Sequence, residues 1–416
     1  MVCVIGPDGV PRMPCSNAIA RLLLKEQKAK VKTRTPFTIK LQYEPETAFV
    51  QPLTHGLDTG SGVVGSAVVT DQGLVVYQAE VELRNDIAKK MKERSSCRRN
   101  RRSRNTRYRP ARFDNRANSR RDGRLPPTVT SKVQSHLKEI RFVRSLLPIS
   151  KTILETASFD PHALKNPEAL LNKSLYQKGV NYGFANAKAY VLHRDGYACE
   201  HCKGKSKSKR LQVHHLIYRS DGGSDDEKNL LTLCDICHTG VHEGSIKLKA
   251  KGIRKSGLKY ATQMNVIRSQ LLRLLPDAVE TFGFITKEDR QALKLEKSHA
   301  NDAIAIANGP QTPVSLAAVL LLKRCIAKGD YQQTKGVRSE QPIPTGKIKG
   351  FRKFDKVVYG GETHFIQGRM STGYALLLNE KFESVKLKPI PKLCLMRRLS
   401  ARKSWITSQR TTVSIS

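Results

Sequence analysis

Between Cys199 and His242 the chain reads C-E-H-C, a basic loop, L-Q-V-H-H-L-I, G-G-S-D-D-E-K-N-L and L-C-D-I-C-H-T-G-V-H. Two CxxC pairs, Cys199/Cys202 and Cys234/Cys237, bracket a His-His step and Asn229. Thiolates are soft ligands, and two such pairs offer four sulfurs at the spacing of a tetrahedral Zn²⁺ site. A module this small takes much of its folding energy from such an ion. His214 and His215 end a short apolar strand, Leu211 to Ile217, in which neighbouring side chains point to opposite sides. One imidazole can therefore bind a metal while the other faces a water. With an ordinary pKa of about 6.5, that second imidazole is suited to be a general base.

A second set of side chains is spaced for carboxylate chemistry. Asp58 closes a short apolar strand and is followed by Gly60, Gly62 and Gly65; small residues there let a backbone or a phosphate approach closely. Glu155 lies near the end of a strand-like stretch from Ser150 to Asp160. His299 and Asp302 stand three residues apart, so they share a helix face beside Ala303, Ile304 and Ala307. Each signal alone is also that of an ordinary hairpin, strand or amphipathic helix; their order along the chain carries the weight.

A third feature is charge. The chain has 416 residues, with 74 Lys and Arg against 36 Asp and Glu, a formal net charge of +38. This excess points to a polyanion partner and excludes an ordinary small-molecule enzyme. A third of it lies between Lys89 and Arg124, where Arg98, Arg99, Arg101, Arg102, Arg104, Arg107, Arg109 and Arg112 stand close together. Arginine forks bind phosphates bidentately. The charge predicts an arginine helix bent at Pro110 that holds nucleic acid, chiefly by its phosphates. The absence of a long apolar run predicts no membrane span. Cys3, Cys15, Cys97, Cys325 and Cys394 follow no pairing pattern, which fits a reducing cytosol.

The elements that must position these groups follow from periodicity. Ala18 to Gln27 reads as a helix and Phe37 to Leu41 as a strand, within a small basic α/β lobe. Val133, Leu137, Ile140, Val143 and Leu147 recur at helical spacing from Thr128 to Leu147. Tyr260 to Leu275 reads as a further helix. The stretches from Gly350 and from His364 read as hairpin strands, with aromatics between lysines and arginines. The tail after Ala401 reads as disordered.

The order of His214, His215, the Gly222-Gly223 loop, Asn229 and His238 resembles the HNH nuclease family, a ββα-metal fold. That resemblance implies His215 as general base, His214 and His238 as ligands of one Mg²⁺, Asn229 as orienting His215 or its loop, and His242 as a weaker ligand. Asp58, Glu155 and the His299/Asp302 pair resemble the three motifs of RuvC-type, RNase H-like nucleases, with Thr59 where many relatives have proline. In such a fold Asp58, Glu155 and Asp302 meet at one sheet end and bind Mg²⁺, two ions about 4 Å apart.

The whole arrangement, including Pro11-Arg12-Met13-Pro14, resembles the IscB proteins, transposon-encoded ancestors of the large type II CRISPR effector nuclease. The implied architecture is α/β: an RNase H-like core split in three, an inserted arginine-rich bridge helix, and an HNH domain. The implied domains are an N-terminal lobe (1–52), RuvC-I (53–84), bridge helix (85–125), RuvC-II (126–184), HNH (185–250), RuvC-III (251–334) and a β-rich C-terminal domain (335–416). The implied activity is RNA-guided DNA cleavage, by a monomer bound to a structured guide RNA and acting on double-stranded DNA in a bacterial-type cytosol near the nucleoid. The HNH site would cut the guide-paired strand and the RuvC site the displaced one. Three rival readings stand beside it: a non-guided homing-type HNH endonuclease, a junction resolvase with an HNH insert, and an RNA-binding remnant without activity.

Overall fold

The computed structural model describes residues 1–45, 49–103, 123–206, 208–221, 223–248, 258–310, 313–316, 319–327 and 347–411. They fall into two compact units, Met1–Ala157 with Val266–Ser416, and Ser158–Asn265. The larger unit opens with β1 (Val2–Ile5), β2 (Pro11–Cys15), α1 (Asn17–Lys25), β3 (Ala29–Arg34) and β4 (Phe37–Leu41). These strands form a sheet of order β2-β1-β4-β3. Ser16 caps α1 by accepting from the Ile19 N–H, and Ala20 packs the helix onto Val2, Val4, Ile39 and Leu41.

Next come β5 (Leu53–Asp58), β6 (Val63–Thr70), β7 (Val75–Glu82), α2 (Ile87–Ser103), α3 (Pro127–Arg144) and β8 (Lys151–Thr156). The smaller unit holds α4 (Pro161–Lys165), α5 (Ala187–Arg194), β9 (Leu211–His215), β10 (Leu230–Cys234) and α6 (Asp235–Glu243). Then follow α7 (Lys259–Leu274), β11 (Val279–Phe282), α8 (Gly283–Ala292), α9 (His299–Asn308) and β12 (Val319–Cys325). The C-terminal strands are β13 (Lys356–Tyr359), β14 (Glu362–Arg369), β15 (Ala375–Leu378), β16 (Ser384–Val385), β17 (Arg397–Ser400) and β18 (Trp405–Thr411).

The central sheet has the order β11-β8-β5-β6-β7-β12-β18. β5, β6 and β7 form an antiparallel meander. β8 joins β5 in parallel and β11 joins β8 in parallel. β6, V-V-G-S-A-V-V-T, is buried over nearly its whole length, as a strand covered on both faces must be. Its alternation decides the two layers. Val68 packs with Leu53, Tyr77, Ala79 and, from α3, Val143, whereas Ala67 and Val69 pack with Ala303 and Ile304 of α9.

The expected disorder after Ala401 is corrected by β18. This strand pairs antiparallel with β12 along its whole length, from Trp405 opposite Cys325 to Thr411 opposite Val319. Trp405 and Ile406 are buried, and the Trp405 ring meets Phe142 edge-on, centroids 5.2 Å apart. An apolar pair and an otherwise open β12 edge outweigh the polar composition of the tail. At the other end of the C-terminal region, β13 to β17 build a separate sheet of order β16-β15-β14-β13-β17. Gly360 and Gly361, both at positive φ (60° and 83°), close the β13–β14 hairpin in the two-residue turn that such φ values allow.

One core interaction is ionic. Lys323 of β12 and Glu139 of α3 are almost wholly buried, with Lys323 Nζ 2.7 Å from Glu139 Oε2. Tyr77 donates to Glu139 Oε1 at 2.6 Å, and Lys323 Nζ lies 4.0 Å from the Phe142 ring centre. Burial pushes the Lys323 pKa down, opposed by the Glu139 charge. Removing one member of such a pair strands the other charge, at a cost of about 3–5 kcal/mol. Lys323→Met should therefore lower unfolding stability by that amount, and the double change Glu139→Leu, Lys323→Met should recover most of it. Denaturant titration of both proteins checks this; equal losses would mean that the pair is not what the core depends on. Burial also holds His55 near pKa 4, below its ordinary 6.5. The unfolded chain then binds the extra proton first, so stability falls as pH drops from 6.5 to about 4, by up to about 3 kcal/mol. Unfolding of His55→Asn should show a flatter profile across that window.

Candidate active sites

In the smaller unit, β9 and β10 pair antiparallel, with Leu231 opposite His214 and Leu230 opposite His215. The strand alternation separates the two histidines as the sequence implies. His214 is buried and turns toward α6, where His238 and His242 lie one turn apart on one face. Ligand-type nitrogens of His214, His238 and His242 all lie within 4.8 Å of one another. Burial, then repulsion from His238 and His242, pushes the His214 pKa down to about 4. Burial also lowers His238. Three imidazoles converging on one point are a divalent-cation donor set. His242, only a weaker ligand in the sequence reading, is thus a full member.

His215 faces the other way. Its Nε2 lies 2.8 Å from Asp225 Oδ1, and Arg219 Nη2 lies 2.7 Å from the same oxygen. The bonds from His215 and Arg219 hold the Asp225 carboxyl below the usual carboxylate range. Asn229, fully buried, staples the loop: its Oδ1 accepts from the Ile217 N–H at 2.8 Å, and its Nδ2 donates to the carbonyls of Ile217 and Ser224. It acts on the loop and not on His215 directly. A Cβ at Gly223 would collide with the Ile217 carbonyl, which explains why glycine stands there. Asp225 and Arg219 were missed at the sequence level; the D-D-E run offered no sign of which acid would reach back.

The four cysteines form the second cluster of this unit, their sulfurs within 4.8 Å of one another. Cys202 Sγ and Cys234 Sγ are 3.8 Å apart, and a tetrahedron with Zn–S arms of about 2.3 Å has edges of about 3.8 Å. Ser206 sits 3.3 Å from Cys202 Sγ and 3.1 Å from Cys234 Sγ, and its hydroxyl pulls Cys202 down to about pKa 5. Cys234 caps the N-terminus of α6, a setting that favours thiolate. The donor set fits Zn²⁺.

In the larger unit, the parallel register sets Asp58 directly opposite Glu155. Helix α9 lies across them, because a Cβ at Gly56 would strike the Ala303 carbonyl and one at Gly65 the His299 carbonyl. Ser298 caps α9, placing Asp302 in its first turn, where the helix dipole favours a carboxylate. His299 Nδ1 is 2.6 Å from Asp58 Oδ2, and this bond raises the His299 pKa. Arg290 Nε is 2.7 Å from Asp302 Oδ1. Burial, with the charges of Asp58 and Asp302 nearby, pushes Glu155 up; burial and Asp58 do the same to Asp302. All four residues singled out in the sequence therefore share one neighbourhood. The carboxylates are wider apart than the histidines of the smaller unit: among the described residues only the cysteine and histidine clusters close to within 4.8 Å. Thr59, in the proline position, donates to the Glu155 carbonyl at 2.6 Å and ties β5 to β8.

Of the arginines expected to hold RNA, Arg98 and Arg99 lie exposed on α2. Arg101 and Arg102 are in the same helix. Arg104, Arg107, Arg109, Arg112 and the expected bend at Pro110 lie outside the described residues.

A family model described as RRXRR protein matches residues 2–179, and one described as HNH endonuclease matches residues 199–244. Arg98-Arg99-Asn100-Arg101-Arg102 spells the former's name. The chain thus carries an RRXRR segment and an HNH endonuclease segment, a combination similar to that of the IscB- and Cas9-like HNH nucleases. The chain is 37% identical, across 67 residues, to Anaredoxin of Nostoc sp. strain PCC 7120, covering 16% of this chain and 86% of that protein. It is 31% identical over 101 residues to the type IV methyl-directed restriction enzyme EcoKMcrA of Escherichia coli K12, covering 23% of this chain and 34% of that one. Streptococcus thermophilus Cas9 in complex with the AGAA PAM aligns at 13% identity and TM-score 0.28, over 44% of this chain and 26% of that chain. The complex with the AGGA PAM gives 14% and 0.29 over the same shares. The nuclease thus spans about a quarter of the length of those structures. Among the described residues no helix is long and apolar enough to cross a membrane.

Metal analysis should find about one Zn²⁺ per chain. Cys234→Ser should lose it and unfold the smaller unit while the larger unit melts as before. Full zinc retention in that variant would reject the assignment.

Proposed function

We propose that this HNH nuclease is an RNA-guided DNA endonuclease with two independent hydrolytic sites. The observation that supports it most is the second site. The order β11-β8-β5-β6-β7, with an antiparallel meander joined by two parallel strands, supports reading the sheet as an RNase H-like core, and Asp58, Glu155, His299 and Asp302 lie near one another on it. A non-guided HNH endonuclease has no need of it.

In the HNH site His215 takes the proton of the attacking water, its ring held by Asp225. Asn229 keeps the loop rigid around that water. His214, His238 and His242 would hold one Mg²⁺, and Asp58, Glu155 and Asp302 would hold the ions at the other site. When bound, Mg²⁺ stabilises the charge on the phosphate and on the leaving oxygen. His299, hydrogen-bonded to Asp58, positions that carboxylate. The guide RNA is held by the phosphate-binding arginines around α2, sequence is read by base pairing, and the basic C-terminal sheet contacts duplex beside the target. The HNH site cuts the guide-paired strand and the RuvC-like site the displaced strand. Similarity to a restriction enzyme over 101 residues favours one rival, cleavage without a guide, and the same experiment separates the two.

On a guide-matched duplex with each strand labelled, His215→Ala should nick only the displaced strand and Asp58→Ala only the guide-paired strand. The affected strand should slow by about 10²–10⁴-fold for loss of the base. Replacing Arg98, Arg99, Arg101 and Arg102 with alanine should weaken RNA binding and reduce its salt slope by about one per lost phosphate contact. Double-strand breaks at wild-type rate from Asp58→Ala, or cleavage indifferent to the guide, would transfer the case to the homing-type reading.

A further inference from the structure

We propose that Phe282 and Phe284 form a stacking platform for an unpaired nucleobase of single-stranded DNA, at the edge of the Asp58–Glu155–Asp302 site. The inference rests on the reading of that site as the one that cuts the displaced strand. Phe282 ends β11 and Phe284 opens α8. Both rings are solvent-accessible, Phe282 at 39% and Phe284 at 65%, and Ile285 beside them is 37% exposed. Leaving such rings in water forfeits the burial that stabilises large apolar side chains, and each belongs to the structured body of the unit, where α8 could have presented polar residues. Their planes are parallel to within 3°, with centroids 6.3 Å apart, so they offer faces along a common direction.

Their place relative to the carboxylates is fixed by the residue between them. A Cβ on Gly283 would stand 3.0 Å from Glu155 Oε1. The glycine therefore lets the backbone between the two rings run against the Glu155 carboxylate. A strand whose phosphate is presented to Asp58 and Glu155 would have neighbouring nucleotides within reach of this surface. A base in a duplex has both faces occupied, whereas an unpaired base has faces to offer; base–aromatic stacking is tolerant of sequence because every base has a π-face. The platform thus suits a displaced single strand better than a duplex, and it would bring strand selection to a site whose carboxylates carry none.

The test uses the guide-loaded nuclease on a matched target carrying 2-aminopurine, a base whose fluorescence is quenched by stacking, in turn at positions flanking the displaced-strand cut. The combined change Phe282→Ala, Phe284→Ala should raise KM for displaced-strand cleavage by about 5- to 150-fold per lost stacking contact. It should abolish the quench at one position and leave guide-paired-strand cleavage unchanged. Phe284→Trp should restore both KM and quench, which a merely structural role would not require. Wild-type KM and quench in the alanine protein would overturn the proposal. So would equal losses on both strands, or failure of tryptophan to rescue in a protein with an unchanged thermal melt. Asp58→Ala separates this from the underlying reading. If that variant still cuts the displaced strand, the site assignment fails; if it stops and the phenylalanine changes do nothing, only the platform does.

Discussion

Two missing side chains hold the larger unit's site together. Gly56 on β5 and Gly65 on β6 leave no atom where a Cβ would meet the backbone of α9, so the helix lies directly on the strands. That contact brings His299 to Asp58 and carries Asp302 to the same sheet end. The parallel pairing of β5 with β8 then supplies Glu155 opposite Asp58. An alanine at Gly65 would push out the start of the helix and, with it, the two side chains that complete the cluster. Conformational freedom is not the issue at either glycine, since neither has positive φ; closeness is.

The smaller unit solves the same problem with different physics. Its two strands and short helix bury few large side chains, and its cluster is built largely of the cysteines themselves with Leu233. A Zn²⁺ held by the four cysteines would replace a hydrophobic core as the source of order. Strand alternation puts His214 on the inner side with His238 and His242, and leaves His215 to Asp225. On the proposed mechanism this is a division of labour within one dipeptide, in which one ring would bind the ion and the next would move a proton.

Much of this was legible in the sequence because the informative residues were local. The CxxC pairs, the His-His step and the i, i+3 spacing of His299 and Asp302 each report on a single strand or turn. What escaped notice depends on distant partners. Arg290 reads as one basic residue in a basic helix, yet it pairs with Asp302. Asp225 looks like its neighbour Asp226 until the loop folds back to His215. Lys323 looks like an interruption of an apolar strand, and only Glu139, far away in sequence, explains it. The tail failed for the same reason, since a polar strand with one apolar pair is ordered by the β12 edge and not by its own composition.

The central claim is that one chain carries two distinct divalent-cation sites of hydrolytic type, a histidine one and a carboxylate one. Anomalous scattering from crystals of the nuclease soaked in Mn²⁺, with diffraction recorded at the manganese and zinc edges, reads this directly. The account predicts zinc among Cys199, Cys202, Cys234 and Cys237, manganese among His214, His238 and His242, and manganese bridging Asp58, Glu155 and Asp302. Manganese at the histidines with none at the carboxylates, in crystals of the wild-type protein bound to guide and target, would contradict it.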